Sequence, residues 1–166
     1  PGGLMDPYPI AQGGLIYIDT QSGNSTRLTP QLGQLVIAES GIAKQTLDVL
    51  QNAREYSQNA IASVQKINPD FDIQQSKVAD YARYLEAVPE LYKNHWYAAI
   101  HNYDLTLKAK KALLASSVDL VQVGEWMNEH QIILQERIQN TPAKMVLQME
   151  AARAAGALGA KIIGSG

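Results

Sequence analysis

Three histidines are the residues of this chain best suited to hold a metal or move a proton near neutral pH, and their spacing argues against both uses. His95 and His101 lie six positions apart, about 600° around a helix, so they point to different sides and cannot chelate one ion together. Glu129 and His130 are adjacent, whereas a di-iron helical bundle takes Glu-x-x-His from each of two helices. Neither Glu-x-x-His nor His-x-x-x-His occurs, so no metal site is expected and the histidines read as packing or surface residues.

Nucleophilic chemistry finds no better footing. No Gly-x-Ser-x-Gly elbow is present, and Ser57, Ser63, Ser116 and Ser117 read as small seam residues and helix caps. The glycine pairs near the amino terminus and Gly156-Ala157-Leu158-Gly159 do not make a phosphate-cradling loop, so no nucleotide or other cofactor is expected. Asp80, Glu86, Glu90 and Asp104 are the carboxylates from which an acid–base pair would have to be assembled in space. With no motif that prescribes it, these carboxylates read as a solvated face and the chain as a non-enzyme.

Lys108, Lys110 and Lys111, with Arg83 and Lys93 upstream, form the densest basic stretch. It is interleaved with Tyr81, Tyr84, Tyr92, Trp96, Tyr97 and Tyr103. Such interleaving can hold a single nucleic-acid strand by stacking and charge. The whole chain carries 14 basic against 16 acidic residues and a formal charge of −2, so nucleic acid is a conceivable partner and not the favoured one. Aromatics in a core and lysines at a helix end, where they complement the carbonyl-terminal dipole, account for the same residues.

At 166 residues with 46% apolar side chains the chain is one domain's worth of material, enough to bury roughly 70% of its unfolded surface. Lacking cysteine, it has no disulfide framework, thiolate nucleophile or cysteine metal site. No run of 18 apolar residues is present to span a bilayer. Because the first residue is Pro1, a processed product or part of something longer is expected, and with it the loss of any targeting signal from the numbered sequence.

The elements that must position these residues follow from pattern and punctuation. Residues 1–14 hold three prolines and four glycines around Leu4, Met5, Tyr8 and Ile10 and read as an extended arm. Leu15-Ile16-Tyr17-Ile18, a turn over Gln21-Ser22-Gly23-Asn24 and Ser25-Thr26-Arg27-Leu28 read as a small hairpin. Thr29-Pro30 predicts the start of a helix to about Ile67, roughly 38 residues and about 57 Å long. Its seam is Thr46, Leu50, Ala53, Ser57, Ala60, Val64 and Ile67, with Leu35, Ile42, Val49 and Tyr56 beside it. Asp72 with Gln75 predicts the cap of a second helix that ends or kinks at Pro89. A third helix runs to about Ala115 with Tyr92, Trp96, Ile100, Tyr103 and Leu107 on one face. Ser116-Ser117 caps a fourth, Val118 to Asn140, and Thr141-Pro142 opens a last one reaching about Ile163.

The expected fold is therefore all-α: an elongated helical bundle of four to five helices with an extended N-terminal arm and a small β-hairpin. It divides into the arm with its hairpin (1–28), the bundle (29–163) and a flexible tail (164–166). A sticky arm, small-residue seams and 15 glutamines, all within the first 150 residues, point to packing against copies of itself and other subunits of an assembly. The self-association candidates are Tyr8, Ile10, Leu15 and Tyr17 in the arm and hairpin. Ala152, Gly156 and Ala160 join them as a small-residue face that also allows membrane contact by the C-terminal Ala/Gly-rich segment. The function expected on these grounds is a non-enzymatic structural subunit of a homo-oligomeric virion (capsid, tail or ejection channel) or filament, located in a virion or in an extracellular or periplasmic assembly. A minor-pilin-like accessory subunit of a bacterial secretion or conjugation apparatus and a nucleic-acid-binding subunit inside an assembly are the alternatives.

Overall fold

The computed structural model describes residues 7–42 and 47–163, and the side chains of residues 8–42 and 52–163. Leu4 and Met5 of the arm, Thr46 and the side chains of Val49 and Leu50 in the seam, and the tail 164–166 lie outside the described residues. The described part is mostly helical, an all-α bundle with one two-stranded hairpin.

The chain opens with a six-residue helix α1 (Pro7–Gln12) and the antiparallel pair β1 (Leu15–Ile18) and β2 (Ser25–Leu28), in register Leu15 to Leu28 through Ile18 to Ser25. The turn closes because the Asp19 carboxylate accepts from the Gln21 and Ser22 N–H groups at 2.9 and 3.3 Å while Gly23 takes φ 73°. A pair of short strands is marginal alone. This one buries Leu28 and is tied to the bundle by Gln74, whose amide donates to Asp19 at 3.3 Å.

Residues 29–42 form neither helix nor strand, which corrects the expected 38-residue helix. Gly33, Gly41 at φ 63° and the β-branched pair Val36-Ile37 outweigh the Thr29-Pro30 start signal. The helix that follows, α2 (Leu47–Gln65), is 19 residues long.

After the Asn68-Pro69 break, Asp72 caps a single 3-10 turn (Ile73–Gln75) by accepting from the Gln74 N–H at 2.9 Å. Then come α3 (Val78–Tyr84), a 3-10 turn before Val88-Pro89, and α4 (Lys93–Leu113). Helices α2, α3 and α4 enclose the main core of Ala60, Val64, Phe71, Val88, Trp96 and Ile100. Trp96 is fully buried, and its indole N–H donates to the Tyr81 carbonyl at 3.2 Å.

Helix α5 (Leu120–Ile133) is capped by Asp119, which accepts from the Gln122 N–H, and not by Ser116-Ser117. Its carboxyl end widens into a π-helical turn, Leu134–Ile138, closed by Gln139 in the left-handed region at φ 58°. Ala98, Leu105 and Ile133 form a second core between α4 and α5. The last helix, α6 (Ala143–Ala154), starts after Thr141-Pro142 as expected but ends at Ala154, because Gly156 takes φ 101° and leaves the helix. Residues 157–163 then run back as an extended segment along α5. Ala152, Gly156 and Ala160 therefore do not share a helical face.

Candidate functional site

Three surfaces bring unusual side chains together. The first is the irregular segment 29–42. Leu35, Val36 and Ile37 are 76%, 87% and 83% exposed, three successive apolar residues facing water. The segment is positioned at its flanks: Gly33 lies against Leu120, and the Gln148 amide donates to the Glu39 carbonyl at 3.3 Å. Where it leaves the hairpin, a cavity of about 520 Å³ opens, lined by Thr29, Pro30 and Gln31 on one side and Leu114 to Val118 on the other.

The second is the contact of residues 158–163 with α5. Asn128 uses both ends of its amide on this peptide, donating to the Leu158 carbonyl at 3.0 Å and accepting from the Ala160 N–H at 3.0 Å. One turn on, the Gln131 side-chain oxygen Oε1 accepts from the Ile162 N–H at 2.9 Å, and its Nε2 donates to the Thr141 hydroxyl at 3.0 Å. Gly124, one turn before Asn128, brings the two backbones into contact. Beside this contact burial holds the Lys161 ammonium below its usual range. Burial, helped by that ammonium, pulls His130 down to about 4.

The third is a stack of aromatic and cationic groups. Tyr97 lies parallel to His101 at 3.9 Å, Tyr81 meets both edge-on, and the Arg137 guanidinium from the π-helical turn sits 4.6 Å over the Tyr97 ring. Arg137 also donates to the Asn94 side-chain oxygen at 3.3 Å. His95 is on another face of α4, edge-on to Tyr56 at 5.1 Å, with its Nδ1 buried and unpartnered. Burial lowers the pKa of His95 and of His101. Among the described residues no group of three His, Asp or Glu is placed to hold a metal.

The residues singled out from the sequence are scattered across the fold. Ile10 is 83% exposed on α1, Tyr8 places its hydroxyl near Gly23, and Leu15 and Tyr17 lie in the hairpin. Ala152 is exposed on α6, Gly156 forms the turn after it, and Ala160 belongs to the segment held by Asn128. The three lysines are not one patch: Lys108 pairs with Asp104 at 2.7 Å, Lys110 sits 3.7 Å over the Tyr17 ring, and Lys111 is exposed. Asn128 and Gln131 were missed. No local spacing signals them, because the groups they hold lie about 30 residues further along the chain. Ser63, read as a seam residue, does stand in Ser-x-x-Lys spacing with Lys66, but its hydroxyl donates to the Asn59 carbonyl at 2.8 Å and Lys66 is exposed.

No protein-family model matches the sequence, and no curated protein is detectably similar to it. A solved structure, Lactococcus lactis galactokinase complexed with galactose, shares the fold at TM-score 0.80 and 18% identity. The match covers 100% of this chain and 44% of that one, so the chain spans less than half the length of its structural neighbour. This likeness is to an enzyme and overturns the reading as a virion, filament or secretion-apparatus subunit, with its nucleic-acid-binding variant. At that identity what the two chains share is a fold.

Proposed function

We propose that this chain includes a protein-binding surface, in which the aromatic-cored bundle holds residues 31–42 out for pairing with a strand of another polypeptide. The observation that carries the reading is the exposure of Leu35, Val36 and Ile37. Three adjacent exposed apolar residues in a segment that belongs to no helix or strand have unused backbone groups that a partner strand could pair, whereas natural edges normally blunt such runs with charge or proline. Gln34 and Ala38 flank them and leave the run without a charge from Gln31 to Ala38.

A dye-labelled synthetic peptide copying residues 33–40 is a suitable strand probe. Fluorescence anisotropy should show saturable binding to the full chain and its loss on Val36→Pro, which removes a donor and fixes φ. Equal binding by both proteins would remove the reading.

The galactokinase likeness favours a second reading, that the cavity edged by Thr29, Gln31, Ser116 and Ser117 takes a small polyol such as a hexose. Its hydroxyl and amide groups suit a sugar, and galactose is the ligand of the similar structure. Titration calorimetry with galactose tests it: binding lost on Ser117→Val supports the reading, and no heat at millimolar sugar ends it.

A further inference from the structure

We propose that the α5 surface built from Gly124, Asn128 and Gln131 is a peptide-docking site that accepts Leu158–Ile163 of a second copy in place of the chain's own, so that two copies exchange their C-terminal arms.

Three features carry this. First, the polar grip is addressed to backbone: Asn128 bonds the Leu158 carbonyl and the Ala160 N–H, and Gln131 the Ile162 N–H. Such bonds are indifferent to which molecule supplies the peptide. Second, the fit is selective. A β-carbon on Gly124 would lie 2.5 Å from the Leu158 carbonyl oxygen, and one on Gly159 would lie 2.6 Å from the Gly124 carbonyl oxygen, so a glycine is needed on both sides. Ile162, only 6% exposed, supplies the apolar anchor.

Third, the helix that connects the segment to the bundle is packed only on its surface. None of the residues of α6 is buried, and the helix is bounded by Gln139 at φ 58° and by Gly156 at φ 101°. An arm with a docked end and a middle that is at most half-buried, with one side-chain hydrogen bond from Gln148 to Glu39, gives up little by leaving its own body when an identical site is offered by another. The contacts are the same in either arrangement, so concentration decides between them.

The test uses two full-length variants that are each unable to exchange with themselves. Gly124→Leu blocks the site and keeps the peptide, and Gly159→Leu blocks the peptide and keeps the site. Light scattering after size exclusion should give the 18.1 kDa monomer mass for each alone and twice that for an equimolar mixture. A milder pair guards against misfolding: Asn128→Leu for the site, and Ala160→Pro, which removes the N–H that Asn128 accepts, for the peptide. Circular dichroism identifies which pair keeps the native helix content. A mixture of folded partners that stays monomeric in both pairs overturns the proposal.

Discussion

The backbones of Gly124 in α5 and Gly159 in the C-terminal segment touch: a β-carbon on Gly159 would sit 2.6 Å from the Gly124 carbonyl oxygen and 2.8 Å from its α-carbon. Two opposing effects bear on Gly124→Ala. A mid-helix alanine gains up to about 1 kcal/mol over glycine. The new methyl would meet the Leu158 carbonyl carbon at 2.6 Å, a backbone atom that cannot turn aside, and overpacking of this kind costs about 1–3 kcal/mol. The clash wins, and the segment is pushed off. Gly124→Ala should lower the melting temperature by a few degrees and speed tryptic cleavage after the half-buried Lys161. Unchanged melting and cleavage would show that the two backbones are not in contact.

His130 makes the same region acid-sensitive. Burial first, and then the Lys161 charge, hold its folded pKa at about 4, below the ordinary 6.5. A depressed histidine pKa means that the unfolded chain takes up the proton first, so its contribution is intact above pH 6.5 and is lost as pH falls towards 4. His130 is partly open to solvent, which screens the effect to on the order of 1–2 kcal/mol. Urea denaturation at pH 7 and pH 4.5 should show this loss in the native chain and a smaller one in His130→Gln. An equal loss in both would place the acid sensitivity elsewhere.

Trp96 separates size from polarity in the main core. It is 0% exposed, lies 5.5 Å from the Phe71 ring and donates to the Tyr81 carbonyl. Trp96→Phe keeps much of the volume and loses the donor, for a cost of about 1–3 kcal/mol. Trp96→Ala leaves a cavity as well and should cost about 3–5 kcal/mol. Denaturation midpoints that rank the two variants in the opposite order would mean that the indole is not packed as described.

Ala60 shows how much of this fold the sequence carried. Its place in a seam with Val64 was legible from four-and-three spacing, and both residues are fully buried beside Phe71 and Trp96. Ala60→Leu should therefore overpack the core and cost about 1–3 kcal/mol in a denaturation experiment, and no change would put the seam in water. The same periodicity, carried back to Thr29-Pro30, predicts a helix where the chain forms neither helix nor strand. A Thr-Pro pair does precede α6 at Thr141-Pro142, where Ala143 and good helix formers follow. After Thr29-Pro30 come Gly33, Val36, Ile37 and Gly41, and local preference prevails over a cap signal. The α4 face was legible in part for a like reason: Trp96 and Ile100 are buried and the Tyr103 hydroxyl donates to the Gln74 carbonyl, whereas Leu107 is exposed and Tyr92 lies in the 3-10 turn before the helix. The α5 contact was not, because its determinants, Gly124 and the amides of Asn128 and Gln131, acquire meaning only once residues 158–163 lie across them. No local pattern announces a partner 30 residues away.

Lys110 offers a test of what holds the hairpin. Its ammonium sits 3.7 Å over the Tyr17 ring, a cation–π contact worth about 0.5–1 kcal/mol at an exposed site. Two short strands have little stability to spare, so removing that contact should let β1 and β2 open more often without unfolding the bundle. Lys110→Ala is expected to raise amide hydrogen exchange across Leu15–Ile18 by about two- to five-fold, the change that 0.5–1 kcal/mol gives, and to leave the main melting transition in place. Lys111→Ala removes an equal charge from the same helix end and should leave hairpin exchange as it was. Lys108→Ala breaks only the pair with Asp104 and should behave like Lys111→Ala. If all three variants speed exchange alike, the hairpin responds to the charge of the helix end and not to the stacked ammonium.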